Sequence, residues 1–235
     1  MNQGKLYLIP ITLGDSAPLE VLPISNKRAI EQIDYYIAEN EKTARAFIKR
    51  LSSGKSQSDL HFEQLNKFTE PSIIPEFLNP CLEGKDIGLM SEAGCPGVAD
   101  PGADIVKIAH QKGIQVVPLV GPSSILLALM ASGLNGQRFA FNGYLPIESS
   151  DRKKAIKQLE KKSREEDQAQ IFMETPYRND KMVADLIKYL HPETMLCIAT
   201  DITLETEQIK TLAIGEWEGA LWDLNKRPTI YVMQA

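Results

Sequence analysis

The chain has 235 residues, 43% of them hydrophobic and 24% charged, the make-up of an ordinary globular protein whose core needs no disulfide or metal to hold it. Its formal net charge of −5 excludes nucleic-acid binding over the whole surface and leaves only a local basic patch for such a role. Cys81, Cys95 and Cys197 form no C-x-x-C pair and His61, His110 and His191 are scattered, so neither a disulfide framework nor a metal site is expected.

From the N-terminus, no signal layout and no apolar run of about 18 residues is present, and a cytoplasmic, reducing location away from membranes is expected. Strands are predicted over 5–10 and 35–38, with helices over 26–33, 42–51 and 74–82. A strand over 87–91 is followed by the clearest helix, 103–111. Gly102 precedes that helix, Ile105, Ile108 and Ala109 make its apolar face, and Gly113 ends it. The strand 115–119 leads into an apolar helix, 124–131, which should be buried on most sides. Beyond it, strands over 139–143, 170–174, 195–199, 209–214 and 229–233 are interspersed with helices over 152–164, 179–190 and 216–221.

Strands alternating with helices of this length give an α/β fold with largely parallel sheets. The second half reads differently, because 208–214 follows 195–199 closely and the last strand ends the chain. That pattern predicts a mixed sheet. Pro118, Gly121 and Pro122 punctuate the chain near 119–121. They suggest an N-terminal α/β domain over 1–119 and a C-terminal α/β domain with a mixed sheet over 120–235.

Glycine and proline gather after three of the strands, in Pro10–Asp15, Ser91–Gly102 and Gly121–Ser124. Each loop alone reads equally well as a tight turn. Three together, at strand ends of an α/β sheet, describe a ligand crevice where backbone approaches the ligand closely. Two nucleotide motifs are absent. Gly54-Lys55-Ser56 ends like a P-loop, but the required earlier glycine is Lys49, and no G-x-G-x-x-G occurs.

The motifs taken together resemble a known family. Gly4-Lys5-Leu6-Tyr7-Leu8-Ile9-Pro10 with Gly14 is similar to the opening of the tetrapyrrole (corrin/porphyrin) methylase superfamily, above all its ribosomal branch, the ribosomal RNA small subunit methyltransferase I group. Ser91-Glu92-Ala93-Gly94-Cys95-Pro96 with Asp100-Pro101-Gly102 resembles that group's S-D-A-G-T-P…D-P-G loop. Val117–Ser124, Ala131–Leu134, Arg138-Phe139, Gly143–Pro146, Phe172–Arg178 and Thr203–Glu207 follow in the family's order. The resemblance implies two α/β domains, a homodimer, and S-adenosylmethionine in the cleft between the domains. Carried onto this chain, it places cofactor contacts at Ile11, Thr12, Leu13, Cys95, Val98, Ser123, Ser124, Met173, Ala199, Thr200, Pro228 and Thr229. Ser123 and Ser124 also suit the N-cap of the helix that follows.

Methyl transfer to a ribose hydroxyl profits from a general base. Glu174, at the end of a buried strand, is the leading candidate, followed by Glu39 and Asp100, with Glu92 and Asp201 beside them. Asp100 is equally placed to cap the helix opening at Gly102, and Arg178 to pair with Glu174 or with a phosphate. The chain departs from the ribosomal group at Ala38-Glu39-Asn40-Glu41-Lys42, where the group has A-E-D-T-R, and at Ala199-Thr200-Asp201-Ile202-Thr203, where it has A-R-E-L-T. Many ribosomal members also carry a further C-terminal segment. The stretch 151–166 holds seven Lys or Arg against four acids. Phosphate binding is one reading of it and a solvated helix face the plainer one. Methylation of small-subunit ribosomal RNA leads. Methylation of a tetrapyrrole or other small metabolite, and a non-catalytic cofactor- or RNA-binding module, stay open beside it.

Overall fold

The described residues, 3–235 of a computed structural model, divide after Ser123 into two units. The first carries β1 (Leu6–Ile9), α1 (Pro18–Val21), α2 (Ile24–Gln32), β2 (Tyr35–Ala38), α3 (Glu41–Leu51), β3 (His61–Gln64), a 3-10 turn (Ile74–Leu78), α4 (Asn79–Leu82), β4 (Ile87–Met90), α5 (Gly102–Gln111) and β5 (Val116–Pro118). Its five strands lie in the order β3-β2-β4-β1-β5, and every pairing is parallel. Successive strand residues point to opposite faces, and both faces are apolar. Ile9, Tyr36 and Met90 pack with Ile30, Phe47 and Ile48 of α2 and α3. Leu6, Ile37, Ile87 and Leu89 pack on the other side with Cys81, Ile105 and Ala109 of α4 and α5. Burial on both faces is what a parallel sheet requires.

Helix α3 shows how the sequence sets an element. Asn40 accepts from the amides of Lys42 (2.9 Å) and Thr43 (3.3 Å), capping the helix start. Ala44, Phe47, Ile48 and Leu51 then fall on one face and are buried. Its exposed face carries the Glu41–Arg45 ion pair, 2.7 Å long.

The second unit carries α6 (Ser124–Ser132), β6 (Phe139–Tyr144), α7 (Ser149–Glu166), β7 (Ala169–Met173), α8 (Asn179–Tyr189), β8 (Met195–Thr200), β9 (Gln208–Ala213) and β10 (Thr229–Gln234), with 3-10 turns at Pro176–Arg178 and Ile214–Glu216. The strand order is β6-β7-β10-β8-β9. β6 and β7 are parallel and the remaining pairs antiparallel, so the sheet is mixed. Phe172, Tyr231, Met233, Leu196 and Ile198 pack against Ile156 of α7 and Met182, Val183 and Leu186 of α8. α6 lies against β8, β9 and β10.

Every predicted strand is present, with ends within one residue of the expectation. Several elements differ. The helix expected over 216–221 is a turn: Trp217 and Ala220 donate to Ile214 and Trp217, and Gly219 takes φ +79°, which no helix continues through. The helix expected over 74–82 is split into a 3-10 turn and α4, because Pro75 and Pro80 have no amide to donate. β3 and α1 are additional. α6 is not buried on most sides: Ala128, Leu129 and Ser132 are, but Leu126 and Met130 are 49% and 77% exposed. A single face of the helix meets the sheet.

The basic stretch is mostly a solvated helix face. Along α7, Lys154, Lys157 and Lys161 pair with Asp151, Glu160 and Glu165. Arg152 is the exception. Its buried guanidinium meets Asp185 at 2.5 Å and the carbonyls of Pro146 and Ile147 at 3.2 and 2.6 Å, so it holds α7 to α8.

Candidate active site

In the first unit, the loops after β1, β4 and β5 are tied to one another at the carboxyl ends of three neighbouring strands. The Ile11 amide donates to the Gly94 carbonyl at 3.0 Å. The Cys95 thiol donates to the Pro122 carbonyl at 3.3 Å. A Cβ on Gly121 would lie 2.2 Å from Pro10 Cβ, so only glycine lets the first and third loops meet. Asn26 of α2 anchors the third loop by donating to the Val120 carbonyl at 2.8 Å. This is the crevice position of an α/β sheet. It brings Ile11, Thr12, Leu13, Cys95 and Ser123 of the expected contacts into one cluster. Val98, 48% exposed, stands on the arc of the second loop outside these ties.

Burial pushes the Cys95 thiol above the ordinary range, so it is neutral at physiological pH. Asp100 stiffens the second loop. Its Oδ1 accepts from the Gly97 amide at 2.8 Å and from the Gly102 amide, at the start of α5, at 2.7 Å. The helix-start role expected for Asp100 is therefore present. Its carboxyl is nonetheless held above the usual range by burial, against the pull of those two bonds. Glu39, at the end of β2, is also raised, first by burial and then by Asp100 and Glu92. Glu92 accepts from the Thr43 hydroxyl at 2.9 Å. Glu39 and Asp100 line a recess together with Ala38, Met90 and Pro101. Among the described residues, no group of three His, Cys, Asp or Glu is arranged to hold a metal ion.

In the second unit, sheet register gathers another group. Ile230 lies opposite both Met173 and Ala199, and Thr229 opposite Thr200. The Thr200 and Thr229 hydroxyls are 3.2 Å apart and buried. Trp222 donates to the first and Asn179 to the second, both at 3.3 Å. The Asn179 amide also donates to the carbonyls of Leu224 (3.1 Å) and Arg227 (2.7 Å), and its oxygen accepts from Tyr231 (3.0 Å). These hydroxyls are occupied inside the unit, and the Pro228 carbonyl takes the Asp201 amide at 2.9 Å. Ser124 opens α6.

Two of the acids weighed as bases hold ion pairs. Glu174 Oε1 accepts from its neighbour Thr175 N and from Nε and Nη2 of Arg178 at 2.6, 2.9 and 2.6 Å. Asp201 meets Arg227 Nε at 2.7 Å and the Thr206 hydroxyl at 2.8 Å. Arg227 reaches on to the Thr206 and Asp223 carbonyls and to Gln208. Sequence reasoning does not reach Asn179 and Arg227. An asparagine opening a helix reads as a cap, and nothing local marks Arg227, whose partners are remote in sequence.

The profile of the tetrapyrrole (corrin/porphyrin) methylases matches residues 5–218. The chain is similar to ribosomal RNA small subunit methyltransferase I of Escherichia coli O157:H7, 30% identical over 218 residues that make up 92% of this chain and 71% of that one. It is 29% identical to the protein of the same name from Vibrio cholerae serotype O1, over 90% of this chain and 69% of that one. In fold it resembles uroporphyrin-III C-methyltransferase from Thermus thermophilus, crystallised with S-adenosylhomocysteine, with a TM-score of 0.58 and 14% identity over 98% of this chain and 97% of that one. The two α/β units, the crevice of glycine- and proline-rich strand ends and these likenesses together make the chain an S-adenosylmethionine-dependent methyltransferase that belongs to the tetrapyrrole (corrin/porphyrin) methylase family.

Proposed function

We propose that the chain transfers the methyl group of S-adenosylmethionine to a ribose 2′-hydroxyl of small-subunit ribosomal RNA. The observation that carries this reading is the likeness to ribosomal RNA small subunit methyltransferase I over nine-tenths of the chain, at 30% identity. The tied loops of the first unit suit the cofactor. Backbone of Ile11–Leu13, Cys95 and Ser123 lines the strand ends, and Gly121 leaves no side chain in the way. The cofactor supplies an activated methyl group on a sulfonium. A neutral Cys95 thiol suits such a neighbour, because a thiolate would compete for the methyl group. Val98, Ser124, Met173, Ala199, Thr200, Pro228 and Thr229 belong to the same reading as further contacts. For Thr200 and Thr229, whose hydroxyls are occupied, the backbone is the part left to make them.

Of the acids Glu174, Glu39 and Asp100, Glu39 best suits removal of the hydroxyl proton. Burial and two neighbouring carboxylates raise its pKa toward the working pH, where a general base is most effective. Asp100 has its Oδ1 committed to Gly97 and Gly102, and Glu174 its Oε1 to Arg178, so both serve the site by holding other groups in place. A homodimer also belongs to this reading. Leu126 and Met130, both exposed and one turn apart on α6, offer a second copy an apolar stripe. A cytoplasmic location follows from the RNA substrate. Among the described residues, no helix is long and apolar enough to cross a membrane.

The test is calorimetric titration with S-adenosylmethionine, followed by transfer of its labelled methyl group to undermethylated small ribosomal subunits. Stoichiometric cofactor binding, weakened by Ser123→Ala with Ser124→Ala, and label in ribose are expected. Cofactor binding without label in the RNA would overturn the substrate.

A further inference from the structure

At the carboxyl end of the two parallel strands of the second unit stand two solvent-facing tyrosines. Tyr144 ends β6 and is 57% exposed; Tyr177, in the turn after β7, is 77% exposed. A large aromatic ring left this open is unusual for a side chain that gains most from burial. The backbone is built to present the first ring. The pairing of β6 with β7 shifts register between Phe141 and Tyr144, and Gly143 takes φ +64° there. Asn142 fixes the irregularity, donating to the carbonyls of Ala140 (3.1 Å) and Ile171 (3.3 Å) and to Gln170 (3.1 Å). A bulge of this kind re-aims the side chain that follows it.

A cation stands at the same strand ends. Arg178 follows Tyr177 directly, and Tyr144 pairs in register with Met173, the residue before the Glu174 that holds Arg178. Glu174 holds the guanidinium by Nε and Nη2, which leaves the Nη1 edge outside that contact. Two aromatic faces beside an oriented guanidinium match an unpaired nucleotide, whose base stacks on a ring and whose phosphate takes the cation.

We propose that Tyr144, Tyr177 and Arg178 form a docking site for an unpaired nucleotide of the RNA. The inference rests on the RNA reading above and names where that RNA is held. Glu174 is then a positioning residue, which fixes the guanidinium for a phosphate.

The experiment is fluorescence anisotropy of a labelled short single-stranded RNA with the full chain, carrying Tyr144→Ala, Tyr177→Ala or both. Each alanine is expected to weaken binding roughly fivefold or more. Tyr144→Phe and Tyr177→Phe should bind like the parent, because stacking needs the ring and not the hydroxyl. Arg178→Gln should lower the slope of log affinity against log salt by about one phosphate contact. Calorimetric binding of S-adenosylmethionine is measured on each variant, and an unchanged value separates loss of RNA docking from loss of fold. Parent-like RNA affinity of the double alanine variant overturns the proposal, and so does a parent protein that binds no such RNA. A changed oligomeric mass with RNA affinity intact would assign the rings to a subunit interface and overturn it too. If the parent methylates ribosomal subunits while the alanines bind RNA normally, the docking site fails and the proposed function stands.

Discussion

The Cys95 thiol donates to the Pro122 carbonyl at 3.3 Å, joining the loop after β4 to the loop after β5. Burial raises its pKa, and only the thiolate alkylates. Iodoacetamide should therefore modify Cys95 slowly at pH 7. The rate should climb with pH and go on climbing past the ordinary thiol range of about 8.5 before it levels off. Cys81 and Cys197 are fully buried, and Cys81 is pushed up to about 12, so both should stay unmodified in the native protein. Mass spectrometry of a pH series checks this. Rapid labelling of Cys95 at pH 7 would show that the loops do not close around it.

Replacing Gly121 tests the loop junction more severely. A methyl group there would sit 2.2 Å from Pro10 Cβ, with Leu22 also within contact. The strand ends must move apart, at a cost of about 1–3 kcal/mol or more for overpacking. Gly121→Ala is expected to lower the melting temperature and to abolish calorimetric binding of S-adenosylmethionine. Gly136→Ala is the control, since nothing lies within 4 Å of its added carbon.

The parts of this site that were legible in the sequence are those with a local cause. Glycine and proline after strands marked the three loops of the first unit, and alternating apolar runs marked the strands. β3 escaped because His61–Gln64 is a short polar edge strand. Its pairing with β2 is reinforced by stacked rings, Tyr35 on His61 and Tyr36 on Phe62, that only the fold brings together. The same holds for ionic partners. The Glu174–Arg178 pair is four residues apart and was foreseen as a possibility. Asp201 finds Arg227 across 26 residues, and no spacing rule points there. The exposure of Tyr144 and Tyr177 was equally hidden, because a motif shows that a residue is present and not which way it faces.

Glu39 makes a prediction in which activity and stability move in opposite directions. A base must be deprotonated, so methyl transfer should rise with pH through the raised pKa of Glu39 and be low near pH 4.5, its ordinary value. Glu39→Gln should lower the rate about 10²–10⁴-fold. Because the folded pKa is raised, the protonated form favours folding. That contribution is complete below about 4.5 and is lost as pH rises through the folded pKa. At pH 7 the glutamine variant should thus be at least as stable as the parent. A single-turnover rate profile and a urea melt check the two halves. An active glutamine variant would remove Glu39 from the chemistry.

Glu160 gives the converse case, away from the site. On α7 it reads as one acid of a solvated face, yet it is 6% exposed. Its Oε1 accepts from the His191 amide at 2.6 Å and the Thr194 hydroxyl at 2.8 Å, while Lys157 meets Oε2 at 3.1 Å. Burial alone would raise its pKa, but these donors outweigh it and hold the carboxyl below the ordinary range. With a lowered folded pKa, the stabilisation is present above about 4.5 and is lost as pH falls through the folded value. Glu160→Gln should therefore destabilise the protein by about 2 kcal/mol at pH 7, the worth of charge-assisted hydrogen bonds. The gap between variant and parent should close at a pH below the lowered pKa. Urea melts at the two pH values measure it, and S-adenosylmethionine binding at pH 7 should not change. A gap that persists undiminished in acid would mean that packing, and not the carboxylate, ties α7 to the turn before β8.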